Sequence, residues 1–235
     1  MDDNTCVLSI IIPVHNEEKI LGEQTLKLVD YVRKLTESFE VLFVENGSTD
    51  GTFQVIRQLQ NGFSFIRLFR LNQADYSSAV IEGLKHAKGE YSIVFGIDYV
   101  DLSVLKRCFQ ALKQSDIVIC SKNIGVDGRP IMNRLANKCY NFLARILLGL
   151  KHSDIEGYHG YRTKKVQPIV YDLKAKAHLC NLWILAKARK MHLKITEVPL
   201  IVYEIRKSRF MKFIRLPYLA AISLIELIRI KAKGY

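Results

Sequence analysis

Residues 6–14 read CVLSIIIPV, a nearly unbroken run of aliphatic and β-branched side chains closed by a proline. A half-exposed strand would alternate polar and apolar residues, so an unbroken run predicts a strand buried on both faces, as in a parallel sheet. Working outward, Glu17–Leu35 has the spacing of a helix and Glu40–Val44 (EVLFV) reads as the next strand. Residues 46–51 (NGSTDG) are dense in turn formers, and Ser48 or Thr49 is placed to cap a helix running to about Gln60. Phe65–Phe69, Tyr91–Ile97 and Ile117–Cys120 read as further strands, with helical patterns at 76–88 and 101–114. This alternation predicts an α/β fold: a Rossmann-like, mostly parallel central sheet with helices on both faces.

The second half reads differently. Leu135, Cys139, Phe142, Leu143, Ile146, Leu147 and Leu150 form one stripe of a helix at 134–150, with Arg134, Lys138, Asn141 and Arg145 off it. A helix at 179–191 precedes a strand at Ile195–Val202, and a basic-then-apolar helix occupies about 210–231. The expected organisation is one domain over residues 1–205 and a basic amphipathic C-terminal extension over 206–235.

The chain has 235 residues, a formal net charge of +12 and 49% hydrophobic content, which excludes global disorder. The charge is uneven. Residues 1–60 carry five Lys/Arg against ten Asp/Glu, whereas residues 185–235 carry twelve Lys/Arg against three Glu. An acidic front and a basic back suit a cation-bound nucleotide first and anionic phosphates later. No nucleic-acid recognition motif accompanies the charge, so nucleic acid is not an expected partner. Five scattered cysteines without CxxC spacing argue for a reducing compartment. The acidic start MDDNT is unlike a secretion signal. The longest apolar stretch near the C-terminus, Leu216–Ile225, is about half of what spans a bilayer. A cytoplasmic protein, peripheral at the cytoplasmic face of a membrane, is expected.

In an open parallel sheet, ligands bind beyond the carboxyl ends of the strands. Three strands here end in polar residues: Pro13 to Glu18, Glu45 to Ser48, and Asp98 to Asp101. Any one could be an ordinary helix start, where acidic residues favour the N-terminus. Three at one edge predict a shared site.

The strings SIIIPVHNEE (9–18), VLFVENGSTDGT (41–52) and AVIEGLKHAKGEYSIVFGIDYVDL (79–102) resemble family 2 glycosyltransferases of the GT-A fold, most closely the dolichyl-phosphate mannose and glucose synthases. The resemblance continues through NRLANKCYNFLARILLGLKHSD (133–154), GYHGYR (157–162) and ARKMHLKITEVPL (188–200), in the family's order. It implies a metal-dependent hexosyltransferase that takes a sugar from a UDP- or GDP-linked donor and passes it, with inversion, to a polyprenyl or dolichyl phosphate. It assigns the nucleotide-sugar to Pro13, His15, Glu17, Glu45 and Asn46, and it implies Mg²⁺ or Mn²⁺ held by an Asp-x-Asp motif to neutralise the leaving diphosphate.

Here Gly96-Ile97-Asp98 stands in that motif's place, so its first carboxylate is missing. Asp98 matches the second and is the expected catalytic carboxylate. One helical turn separates it from Asp101, and the two are expected to hold the metal together. Asn46 and Trp183 replace an Asp and a Glu of relatives, and Asp154 lies two residues further than usual from Gly160-Tyr161-Arg162. A lipid phosphate needs no general base, but two phosphates brought together need cations. Lys122 is assigned to the donor, and Arg134, Arg162, Arg206 and Arg209, with Lys207 nearby, to the acceptor phosphate. The helices at 134–150 and 210–231 offer a landing place for the lipid tail. Two other readings stand beside this one. One is transfer to a hydroxyl acceptor with Glu156, Asp154 or His159 as base. The other is a sugar-nucleotide-binding module without catalysis.

Overall fold

The run at 6–14 forms strand β1 (Leu8–Val14), buried throughout except at the half-buried Pro13. A computed structural model describes residues 6–98, 101–173, 179–202 and 212–234. In chain order the elements are β1, α1 (Glu18–Arg33), β2 (Phe39–Asn46), α2 (Thr52–Gly62), β3 (Ile66–Leu71), α3 (Tyr76–His86), β4 (Tyr91–Val94) and α4 (Ser103–Leu112). Then follow β5 (Ile117–Asp127), α5 (Ile131–Leu148), β6 (Tyr158–Arg162), α6 (Thr163–Asp172), α7 (Cys180–Lys190), β7 (Ile195–Val202) and α8 (Lys212–Ala232).

The seven strands make one sheet in the order β3-β2-β1-β4-β6-β5-β7. All neighbouring pairs are parallel except those of β6, which runs antiparallel between β4 and β5. Each face of the sheet carries its own core. Ile10, Ile12, Val41 and Phe43 pack into one layer, while Ile11, Leu42 and Val44 pack into the other. Two-sided burial is why these strands are uniformly apolar, and each such side chain contributes about 1.5–3 kcal/mol.

The parallel α/β expectation holds. Two elements escaped it, β6 and α6. β6 (YHGYR) is short and has no apolar run, yet His159, Gly160 and Tyr161 are all buried because strands flank it on both sides. α6 hides its periodicity behind Lys164, Lys165 and an internal Pro168.

α5 departs from the usual behaviour of a surface helix. A helix with an apolar stripe normally turns that stripe inward. Here Leu135, Phe142, Leu143 and Ile146 face out, Ile146 at 61% exposure, while Asn141, Ala144 and Leu148 are buried. The inward Asn141 is hydrogen-bonded: it accepts from the Ile155 amide at 2.9 Å and donates to Asn137 at 3.1 Å. α8 packs against α5, burying Leu227 and Ile230 and leaving Leu224, Ile225 and Ile228 exposed. Trp183 donates from Nε1 to the buried Glu226 of α8 at 2.8 Å. The boundary expected at 205/206 lies outside the described residues. Among the described residues, no helix is long and apolar enough to cross a membrane.

Candidate active site

Register places the ends of β1, β2 and β4 side by side. Val14 pairs with Glu45, Ile11 pairs with Val94, and the Phe95 amide continues the ladder to Ile11 at 2.9 Å. The loops after β1 and β2 are then laced together. The Asn16 amide donates to Ser48 Oγ (3.1 Å), the Thr49 amide to Asn16 Oδ1 (2.8 Å), the Glu17 amide to Thr52 Oγ1 (2.8 Å) and the Gly51 amide to Glu18 Oε2 (3.0 Å). Asn16 and Gly47 both take positive φ, 58° and 66°, which bends the two loops toward each other.

Several expected donor residues turn out to build these loops. Glu45 is fully buried; it accepts from the Ser48 amide at 2.5 Å and pairs with Arg70 at 3.0 Å. Asn46 Oδ1 accepts from the Asp75 amide at 2.7 Å, and His15 Nδ1 lies 2.8 Å from the Asn46 carbonyl. His15 is exposed, and Pro13 and Glu17 are half-buried at the same edge. Asp75 caps α3 by accepting from the Ser77 and Ser78 amides.

Asp101 and Arg162 make contacts other than the expected ones. Asp101 accepts from the Ser103 amide at 3.0 Å and from its hydroxyl, and pairs with Arg107 at 3.0 Å, so its carboxylate is spent on starting α4. Arg162 sits opposite Tyr91 at the amino end of β4, beside Glu90 and Asp116. The antiparallel run of β6 carries it to the far edge of the sheet, away from the strand ends that gather the loops. Arg134 is exposed on α5, and Arg206, Lys207 and Arg209 lie outside the described residues.

A second polar group lies further along the edge. Lys122, 5% exposed, donates to Asp154 Oδ2 at 2.6 Å, with Asp154 fully buried. Lys122 is therefore a paired cation that borders the site. A cavity of about 130 Å³ is lined by Tyr76, Lys122, Arg129, Glu156, Tyr158 and neighbours on β7. Tyr76, Arg129 and Tyr158 were not anticipated; recognising 158–162 as a strand would have brought Tyr158 to this edge.

Burial pushes the Glu156 carboxyl up to about 7, with Asp154 adding to the rise and Lys122 opposing it. Burial holds the His159 imidazole at about 4, against the pull of Asp154, and neither ring nitrogen has a hydrogen-bond partner. The two oppose each other in stability. His159 takes up its proton more readily in the unfolded chain, so its contribution falls as pH drops from 6.5 toward 4. Glu156 holds its proton better when folded, so its contribution falls as pH rises from 4.5 through 7. Each shift is worth about 3 kcal/mol, so the wild-type slope between pH 4.5 and 6.5 is expected to be nearly flat. Urea melts across that range should show Glu156→Gln losing stability toward acid and His159→Phe losing it toward neutral. Parallel curves for all three proteins would refute this account.

The cation implied by the resemblance would be held here by few protein oxygens, the rest coming from the donor's phosphates. A hard divalent ion held by protein oxygens takes several of them. Among the described residues no group of three His, Cys, Asp or Glu is placed to hold a metal. Gly96 offers no side chain and Asp101 is engaged, leaving Asp98 as the carboxylate at the end of β4.

The sequence profile of Glycosyl transferase family 2 matches residues 9–169. A dolichol-phosphate mannosyltransferase of Pyrococcus furiosus is 28% identical over 201 residues, covering 82% of this chain and 55% of that protein. A dolichyl N-acetyl-alpha-D-glucosaminyl phosphate 3-beta-D-2,3-diacetamido-2,3-dideoxy-beta-D-glucuronosyltransferase of Methanococcus voltae is 30% identical over 148 residues, covering 60% of this chain and 43% of that protein. The chain thus spans about half the length of these relatives. Among solved structures, the mannosyltransferase PcManGT of Pyrobaculum calidifontis, in complex with GDP-Man and Mn²⁺, superposes with a TM-score of 0.65 at 17% identity, covering 97% of this chain and 64% of that one. Glucosyl-3-phosphoglycerate synthase of Mycobacterium tuberculosis, with Mn²⁺, UDP-Glc and phosphoglyceric acid, gives a TM-score of 0.68 at 15% identity, covering 94% and 79%. At these identities the structural likeness speaks for the fold alone, which is that of the GT-A enzymes.

Proposed function

We propose, for a chain that belongs to glycosyl transferase family 2, that it moves a sugar from a UDP- or GDP-linked donor onto a polyprenyl or dolichyl phosphate at the cytoplasmic face of a membrane. An oxygen of the lipid phosphate attacks the anomeric carbon. The bond from that carbon to the donor's terminal phosphate breaks, and the nucleoside diphosphate leaves with the bonding pair, inverting the anomeric centre. The attacking oxygen is already anionic at neutral pH, so no protein base is required, and the protein's part is positioning and charge. Pro13, His15 and Glu17 offer the edge for the nucleoside, on loops stiffened by Glu45 and Asn46. Asp98 meets the diphosphate end of the donor, together with any Mg²⁺ or Mn²⁺ the donor brings. Arg134 is the cation offered to the acceptor phosphate.

The observation that carries the lipid acceptor is the outward apolar face of α5, interleaved with the exposed Arg134, Lys138 and Arg145 and continued by Leu224, Ile225 and Ile228 of α8. A basic, apolar-faced helix lies in the interfacial plane of an anionic bilayer. The test is to incubate the protein with radiolabelled UDP- and GDP-sugars and polyprenyl phosphates, and to follow label into organic solvent. Transfer to at least one lipid phosphate is expected. Flotation on anionic vesicles is expected to be lost in the Leu135→Ser/Phe142→Ser/Ile146→Ser variant. Unchanged flotation, or label that never leaves the aqueous phase, would remove the lipid acceptor.

Glu156 favours a second reading, transfer to a hydroxyl. A carboxyl titrating at about 7 on a cavity wall is suited to accept a proton. A rate that rises through pH 7 and loses that rise in Glu156→Gln would select it over a phosphate acceptor.

A further inference from the structure

Gly96 is the one position where the end of β4 lacks a side chain that the Asp-x-Asp pattern would supply, and its surroundings explain the gap. A β-carbon added at Gly96 would collide with the Tyr158 hydroxyl, lie 3.2 Å from Tyr158 Cζ and lie 2.9 Å from an Asp98 carboxylate oxygen. The space of the missing carboxylate is therefore filled by a phenol reaching across from β6. Tyr158 is the first residue of that strand and pairs with Cys120 of β5, at the same sheet edge where the loops converge. Its ring rests on Phe95, the residue next to Gly96, with centroids 5.4 Å apart. The longer spacing between Asp154 and Gly160 and the loss of the carboxylate at 96 thus meet at one point in space.

The exchange changes the chemistry offered there. A carboxylate is charged, accepts hydrogen bonds and draws a divalent ion. A phenol, with an ordinary pKa near 10, is neutral and donates. A donor hydrogen bond to an anionic oxygen is charge-assisted and short, and it does directly part of what a bridging cation would do. The cavity beside Tyr158 is bordered by Lys122 and Arg129, and Asp101 is engaged elsewhere.

We infer that Tyr158 has taken over the donor-facing place of the first Asp-x-Asp carboxylate, gripping the donor's diphosphate by direct hydrogen bonding so that binding depends little on a divalent cation. This rests on the reading of the edge as a sugar-nucleotide site, and the experiment keeps the two apart. Mn²⁺ binding alone is measured by electron paramagnetic resonance, and UDP and GDP binding by calorimetry in Mn²⁺ or in EDTA. The proteins are the wild type, Tyr158→Phe, Tyr158→Ala, Gly96→Asp and Gly96→Asp/Tyr158→Ala, each checked by thermal melt.

The wild type should bind one nucleotide in EDTA within about threefold of its affinity in Mn²⁺. Tyr158→Phe should lose about tenfold in EDTA, the worth of a hydrogen bond to a charged group. Gly96→Asp should bind Mn²⁺ no better than the wild type, because the ring holds the space, and the double variant should bind it about tenfold more tightly than Tyr158→Ala. Equal Mn²⁺ binding by Gly96→Asp and the double variant would overturn the inference, as would collapse of wild-type nucleotide binding in EDTA. If no protein binds either nucleotide in either buffer, the donor reading falls and takes the inferred grip with it. A double variant that alone gained Mn²⁺ in that case would support only the steric half, that Tyr158 occupies the carboxylate's space.

Discussion

Exchanging Lys122 for methionine is expected to lower the unfolding free energy by about 3–5 kcal/mol, the largest stability loss anticipated for a single side chain here. Lys122 and Asp154 are 5% and 0% exposed, and their Nζ–Oδ2 contact is 2.6 Å. The same carboxylate oxygen also accepts from the Lys122 amide at 3.2 Å, while Asp154 Oδ1 has no hydrogen-bond partner. Methionine keeps most of the volume and removes the charge, so packing changes little and the buried carboxylate is stranded. Stranding a buried charge costs far more than the intact pair contributes. Urea denaturation should show the loss, with a fall in Tm of about 10 °C. Adding Asp154→Asn in the same chain should recover much of it, since the uncompensated charge is gone. A loss below about 1 kcal/mol would mean that the pair behaves as an exposed one and that this side of the site is wetter than it looks.

For activity, the largest effect is expected at Asp98. Asp98→Asn should cut sugar transfer by about a hundredfold or more while leaving the melt unchanged. The residue is half-buried just past the end of β4, beyond the last ladder hydrogen bond. Its carboxylate shares one small space with the Tyr158 hydroxyl at the meeting point of the three loops. Asp101→Asn is the instructive contrast. Its carboxylate caps α4 and pairs with Arg107, so its loss should cost about 1 kcal/mol of stability and leave transfer within about tenfold of the wild type. Equal kinetic loss from the two substitutions would restore the shared-metal assignment that the geometry speaks against.

The difference between those two aspartates shows how far the sequence could be read. The polar ends of β1, β2 and β4 were visible because each follows an apolar run, and the register then brings them together. What each polar residue does there was not visible. Glu45 and Asn46 carry the right chemistry to face a ligand, yet their side chains brace the loops, and Asp101 is a cap. Residue type and spacing do not distinguish a ligand-facing carboxylate from a capping one, because the choice is made by neighbours such as Arg70 and Arg107 that lie elsewhere in the chain.

The sequence by itself determined the parallel sheet, the edge at which the polar strand ends gather and the family, because these rest on local periodicity and on motifs contiguous in the chain. Only the tertiary structure decided the direction of β6, which sends Arg162 to the edge away from the loops and Tyr158 to the edge where they meet. It alone decided that the apolar stripe of α5 faces outward, because a helix has two faces and the pattern on one does not say what packs on the other. It also revealed the fit of Tyr158 into the space at Gly96. That fit joins two strands distant in sequence, and contacts of that kind are set by close packing, which leaves no signature in a one-dimensional pattern.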